Sequence, residues 1–262
     1  MKKLITTVFL GVIAVFSGCG DSATEIQGTL PVVTGITIDT IASTGDTIFV
    51  TWTALDSTLV DGYFLWTRIN MEGPWSLADL CDRNTGSHIA ASSAFYAVMA
   101  FKGDDTSSEL SLSVDTKTEG ISEIRELFTI KAPVGFRVDL EGDSLIAGDP
   151  RSAEFAQHFV VERNWLGERY IFPGSAHPEL WPGGTRTRIS SIGGLVAPAP
   201  NDTINWRDSI SYGGDFFLEL DNGFYCMLKG THTFPDTVSM TDTLVIKGQV
   251  QPITGVRVFS EQ

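Results

Sequence analysis

The chain has 262 residues and a formal net charge of −14, with 32 acidic against 18 basic side chains. So acidic a surface repels phosphate backbones and anionic headgroups, which makes nucleic acid and anionic lipid headgroups poor partners. The length allows two domains with cores of their own, and the even spread of the acids is a solubility pattern that still permits calcium or a cationic ligand.

The first nineteen residues say where the protein works. Lys2 and Lys3 precede an uncharged apolar run from Leu4 to Phe16, and the small residues Ser17 and Gly18 stand directly before Cys19. A positive end, a short apolar core and small residues at the cut describe an export signal. The run is too short for a comfortable membrane span. Phe16-Ser17-Gly18-Cys19 resembles the lipobox of bacterial lipoproteins, with Phe where Leu is usual. The resemblance implies a signal peptide over 1–18, cleavage before Cys19 and a lipid on that cysteine as membrane anchor. Gly20, with no Asp there, implies sorting to the outer membrane or cell surface in a diderm. Residues 19–28 continue as a small, polar, aperiodic tether.

From Leu30 to Val114 short β-branched and aromatic runs alternate with Gly, Asp, Ser and Asn, the rhythm of a β-sandwich. Alternation places Ile48, Val50 and Trp52 on one face. Further runs are Gly62 to Trp66, Tyr96 to Ala100, and a last strand through Leu110, Leu112 and Val114. Trp52, the Gly62-Tyr63-x-Leu65 start and the Tyr96-x-Val98-x-Ala100 strand make residues 29–117 resemble a fibronectin type III domain. The resemblance implies a seven-stranded, immunoglobulin-like Greek-key sandwich. Where that family carries a Leu-x-Pro-x-Thr corner, this chain has Ala90-Ala91-Ser92-Ser93-Ala94. In this register Tyr63, Leu65, Tyr96, Val98 and Ala100 point inward. Phe64, Trp66, Met99 and Phe101 then share the outer face, too apolar a set to be left to solvent without cause. Either the second domain or a loop carrying Trp75 covers them, or they form a binding surface.

Asp115 to Glu126 reads as a charged junction with little apolar pattern, and a second all-β domain is expected over 118–262, an antiparallel sandwich or jelly roll. Its candidate strands are 135–140, 155–162, 169–172, 187–192, 216–220, 224–229, 243–250 and 255–259; the spacing over Ala153 to Val161 also fits a short helix. The clearest signal is Phe216 to Leu228 around Asn222-Gly223. A three-residue loop, Asp221-Asn222-Gly223 with Gly223 left-handed, pairs Leu220 with Phe224, Leu218 with Cys226 and Phe216 with Leu228, and makes one face wholly apolar. This hairpin and the Gly135 to Asp139 strand faintly resemble β-sandwich domains of secreted bacterial lipoproteins, some of which bind haem.

No nucleophile elbow, HExxH, phosphate loop or dinucleotide fingerprint is present. Cys81 and Cys226 fall in different predicted domains and are read as unpaired, and no CxxC or zinc spacing occurs. Asp139, Glu141 and Asp143 offer oxygens to calcium, or are simply exposed acids at a strand end. His88, His158, His177 and His232 are scattered, the pattern of solvated or capping residues more than of ligands. Trp165, Trp181 and Trp206 sit beside Gly- and Pro-containing loops, where they either pack a core or stack on sugars. The expectation is a non-catalytic, lipid-anchored binding or spacer module with a carbohydrate or protein ligand. The alternative is an enzyme or accessory acting on extracellular polysaccharide through the second domain.

Overall fold

The computed structural model describes residues 30–129, 133–164, 168–236 and 241–261. The export signal, Cys19, the tether and Trp165 lie outside them. Every regular element among the described residues is a β-strand, and every pairing between named strands is antiparallel.

The first half contributes β1 (Thr37–Ile38), β2 (Thr47–Thr51), β3 (Gly62–Arg68), β4 (Ser76–Cys81), β5 (Thr85–Ile89), β6 (Phe95–Lys102), β7 (Asp105–Thr106) and β8 (Val114–Asp115). One sheet has the order β1-β2-β5; the other runs β4-β3-β6-β7, with β8 also on β6. Ile48, Val50 and Trp52 meet Tyr63, Leu65, Tyr96, Val98 and Ala100 in a single buried cluster. Trp52 and Tyr63 cross edge to face at 5.3 Å. The inward and outward sets follow the alternation of the sequence, because one face of each strand must leave water.

The last strand departs from expectation. No continuous strand passes through Leu110 and Leu112, and Leu112 is 88% exposed. Three hydroxyl residues hold the β6 edge instead. Ser107, Ser111 and Thr116 each donate their amide to a β6-side carbonyl, of Ala100, Val98 and Ala94 respectively. Each also accepts the amide of that same residue on its hydroxyl oxygen, at 3.2, 2.9 and 3.0 Å. Side-chain hydroxyls thus replace ladder acceptors, and the chain between them is free to bow outward.

The second half contributes β9 (Glu119–Thr129), β10 (Val134–Asp139), β11 (Ser144–Gly148), β12 (Phe159–Arg163), β13 (Arg169–Pro173), β14 (Arg188–Ser190), β15 (Ile210–Ser211), β16 (Gly214–Glu219), β17 (Tyr225–Asp236) and β18 (Thr241–Gln251). They form two five-stranded sheets, β11-β10-β12-β13-β15 and β14-β16-β17-β18-β9. Both line one core, in which Phe159 stacks on Phe136 at 5.0 Å and reaches across to Phe216 at 5.8 Å. Ala153 to His158 is irregular rather than helical. The β16–β17 hairpin has the predicted register, Leu218 opposite Cys226 and Phe216 opposite Leu228, with Gly223 at φ +82°.

The charged stretch read as a junction is β9, which pairs along β18. Between Ile246↔Ile124 and Gly248↔Ile121 the register slips, so β9 spends three residues where β18 spends two. That bulge turns Ile121 and Ile124 toward the same core although they stand three apart.

The two sandwiches are joined by the chain's end. Gly45 accepts the Arg257 amide and donates its own to the Gly255 carbonyl, while Ser93 donates to the Phe259 carbonyl. Val256 and Val258 are fully buried in the first sandwich's core. Phe259, on the other side of this extended segment, packs with Phe217, Tyr225, Met227 and Trp206 on the outer face of the second sandwich. The buried Gln251 amide donates to the Val258 carbonyl at 2.7 Å and to that of Thr116 at 3.3 Å.

Candidate functional site

The outer face of the β4-β3-β6 sheet carries the four predicted residues together. Phe64 lies opposite Met99 on β6 and Leu80 on β4, and Trp66 lies opposite Ala97 and Leu77. Cross-strand partners share a face, so Leu80–Phe64–Met99 and Leu77–Trp66–Ala97 are two apolar rows side by side. Phe101 adds a third contact, its ring stacked on Phe64 with centroids 4.6 Å apart and planes at 28°. Phe101 faces Gly62 across the ladder, and a Cβ there would come within 2.9 Å of the Phe101 ring and 2.7 Å of the Cys81 carbonyl. Glycine at 62 lets the ring lie flat over the strand.

Among the described residues neither suggested cover lies over the two rows. Phe64, Trp66, Met99 and Phe101 stay half-buried, shielded mainly by one another, and Leu77 and Leu80 are 42% and 60% exposed. Trp75 turns instead to the end of the face, where the Arg68 guanidinium lies 4.4 Å over its ring. Leu77 and Leu80 were not legible as members of the face. They stand three apart, and a bulge between Leu65 and Trp66 brings both to the outside. The open edge of β4 is partly closed by its own chemistry: Asp79 accepts the Leu80 amide at 2.9 Å and the Ser87 amide at 3.1 Å. The neighbouring Lys102-Gly103-Asp104 turn is pinned as well, Gly103 donating to Asp61 at 2.8 Å.

The tryptophans predicted in the second half do not join this surface. Trp181 is 2% exposed, wedged against Phe172 at 5.6 Å and His177 at 5.0 Å. Trp206 is 9% exposed, donates its indole N–H to the Ala199 carbonyl at 2.9 Å and carries the Arg188 guanidinium 5.1 Å over its ring. Neither keeps a face for a sugar, because the outer surface of the second sandwich needs large side chains to seal it. Trp165 lies outside the described residues.

Asp139, Glu141 and Asp143 sit at the β10–β11 turn, where Asp139 accepts the Glu141 amide at 3.3 Å. The turn satisfies its own backbone with the carboxylate that calcium would need. No group of three or more His, Cys, Asp or Glu side chains able to hold a metal occurs among the described residues. Of the histidines, His158 is buried and accepts the Val138 amide on Nδ1 at 3.0 Å, and burial lowers its pKa. His88 is half-buried with Nδ1 at 3.2 Å from the Tyr96 hydroxyl, and burial lowers its pKa too. Cys81 and Cys226 are both free and buried; burial, then nearby Asp79, pushes the Cys81 thiol up to about 12. Neither is a poised nucleophile.

No family model matches this chain, and no curated protein matches it. Solved structures similar to parts of it include the fibronectin type III domain of human fibronectin type III domain containing protein 3. That domain is 12% identical, with 37% of this chain and 89% of that one covered and a TM-score of 0.29. Titin kinase with its flanking domains is 10% identical, covering 84% of this chain and 38% of that one, at a TM-score of 0.29. The cycloalternan-degrading enzyme from Trueperella pyogenes is 11% identical, covering 79% and 28%, at a TM-score of 0.20. The chain therefore spans well under half the length of the last two. These likenesses concern the β-sandwich fold alone.

Proposed function

We propose that this chain is an exported, lipid-anchored, non-catalytic module that binds a protein through the outer face of its first, fibronectin type III-like sandwich. The anchor rests on Lys2, Lys3, the Leu4 to Phe16 run and Cys19. The observation that carries the binding role is the pair of apolar rows, Leu80–Phe64–Met99 and Leu77–Trp66–Ala97, in which Leu80 and Leu77 are exposed, Phe64, Trp66 and Met99 partly so, and Ala97 is buried beneath them. Aromatic residues and Met are what interface cores are enriched in, and a contiguous exposed patch of them marks a contact site.

A protein suits this face better than a sugar. The Phe64 and Phe101 rings spend faces on each other, and the rows themselves offer no ring of hydrogen-bonding side chains to read hydroxyls. At one end of the face Asp61 caps the β6–β7 turn by accepting the Gly103 amide, and Asp104 and Asp105 in that turn outnumber Lys102. The partner is therefore a protein with an apolar centre and a basic group at that end, attracted over a distance that salt shortens.

A photo-crosslinking amino acid at Leu77 or Leu80, in cells producing the full chain, tests the reading. Ile204, 74% exposed on the other sandwich, serves as control. A discrete protein adduct from 77 and 80, absent from 204 and lost on Trp66→Asp, is the expected result. No adduct from the face, or the same adducts from all three positions, would leave the chain a spacer. The mass of the mature N-terminus tests the lipid on Cys19 separately.

A further inference from the structure

The outer face of β4-β3-β6 has a symmetry of its own. Along the β3–β6 ladder four pairs share it in order: Gly62 with Phe101, Phe64 with Met99, Trp66 with Ala97, and Arg68 with Phe95. Leu80 extends the second pair onto β4, and Leu77 the third. The middle of the set falls level with Leu65, between the two apolar rows. Its ends are about 20 Å apart at a rise of about 3.3 Å per residue.

Those ends carry opposite charge. At the Gly62 end Asp61, Asp104 and Asp105 outnumber Lys102. At the other end two cations meet one ring. The Arg68 guanidinium lies 5.6 Å and the Lys117 ammonium 4.8 Å from Phe95, and Arg68 also lies 4.4 Å over Trp75. Neither cation is ion-paired with another described residue, and Arg68 Nε is buried without a hydrogen-bond partner. The acids of the adjoining segments leave both unpaired: Glu72 in the β3–β4 turn is exposed, and Asp115, opposite Phe95 on β8, accepts the Lys117 amide at 3.0 Å.

A two-fold axis running across the strands level with Leu65 turns a second copy face down on the first. It reverses the strand direction and keeps each strand over its own counterpart. Row then falls on row. Phe64 comes opposite Trp66 of the other copy, Leu80 opposite Leu77, and the long Met99 opposite the short Ala97, each contact occurring twice. The same rotation brings Asp61, at the start of β3, to Arg68 at its end. It brings Asp104 and Asp105 to Lys117, because β7 and β8 pair along β6 beside it. An apolar centre with cations at the far end is what the face itself presents to a copy of itself.

We infer that the partner of this face is a second copy of the chain, held in an antiparallel two-fold dimer. The inference rests on the binding role proposed for the face and names its partner. The apolar set is small, so the dimer is weak, with a dissociation constant of about 10–100 μM.

The test is sedimentation equilibrium of the full chain carrying Cys19→Ser, which removes the lipid, over about 1–500 μM. A reversible monomer–dimer equilibrium is expected, and Trp66→Asp, at the centre of the face, abolishes it. Lys117→Glu and Asp104→Lys, both at exposed positions, each set like charges together at two places in the dimer. Each weakens self-association by at least about tenfold. Mixed in equal amounts, the two variants are complementary at both ends, and their heterodimer returns to within about threefold of the unsubstituted affinity. Rescue by mixing excludes misfolding as the cause of the loss. A monomer at every concentration, association that Trp66→Asp leaves intact, or a mixture no tighter than either variant alone would each overturn the dimer. The binding role of the face survives that outcome if positions 77 and 80 still crosslink to a protein of another mass; the dimer gives an adduct of twice the chain's mass.

Discussion

Replacing Val256 and Val258 together by Ala probes a consequence of the fold that chain order hides. Both side chains are fully buried, and both belong to the core built by Ile48, Trp52, Leu65 and Val98, far away in sequence. Each substitution removes two methyl groups from a closed site. The lost transfer energy and the cavity left behind come to about 2 kcal/mol per site, or about 4 kcal/mol for the pair. Set against a total stability of about 5–15 kcal/mol, this is a large fraction. The two free thiols report on the two halves: Cys81 is 6% exposed in the first core and Cys226 fully buried in the second. With Cys19→Ser to remove the third thiol, labelling by a thiol reagent under native conditions follows the opening equilibrium of each core. A loss of about 4 kcal/mol speeds Cys81 labelling by about a thousandfold. Cys226 should accelerate much less, because Phe259 still seals the second sandwich. If Cys81 labelling changes by less than about tenfold, the end of the chain is not part of the first core and the reasoning fails.

Three further outcomes follow from individual contacts. His158 accepts the Val138 amide on Nδ1, and burial depresses its pKa below the usual value of about 6.5. The unfolded chain takes up the proton first, so stability is full above about pH 6.5 and falls as pH drops below it, with a limiting slope of about 1.4 kcal/mol per pH unit. Urea midpoints between pH 8 and pH 5 should show this decline, and His158→Gln should reduce its slope while leaving the part that His88, also lowered by burial, contributes; an unchanged slope would assign the decline elsewhere. Gly62→Ala drives a methyl group toward the Phe101 ring and the Cys81 carbonyl, both under 3.0 Å away, and should cost about 1–3 kcal/mol in urea denaturation. Neutral behaviour there would mean that Phe101 does not lie over the strand. Calcium should leave the melting temperature unchanged, since Asp139 already serves the Glu141 amide; a calcium-dependent rise lost on Asp143→Ala would revive the site.

The reach of the sequence can be judged residue by residue. Strict alternation predicted the inward set Ile48, Val50, Tyr63, Leu65, Tyr96, Val98 and the outward set Phe64, Trp66, Met99, Phe101, and the structure places each accordingly. Asn222-Gly223 and the demand for one apolar face predicted the β16–β17 register down to the left-handed Gly223. The same rule gives no signal at two of the bulged pairings. Leu77 and Leu80, like Ile121 and Ile124, stand three apart yet share a face, so Leu77 and Leu80 were missed from the candidate surface and β9 passed for a junction. The last strand of the first sandwich escaped as well, since hydroxyls of Ser107, Ser111 and Thr116 do the pairing that a backbone ladder was expected to do.

What the sequence determined by itself was local: all-β class, the residues facing each core and the tight hairpin, because a side chain's face in an unbroken strand depends only on its two-residue period. Whether Trp181 and Trp206 were sealed, whether Phe64 and Trp66 were covered, and where Val256 and Val258 would be buried depended on contacts between residues far apart in the chain. Burial is a property of what arrives from elsewhere, and an extended segment buries either of its faces equally well. Only the assembled sheets decided that the end of the chain closes the first core while the outer face of β4-β3-β6 stays open.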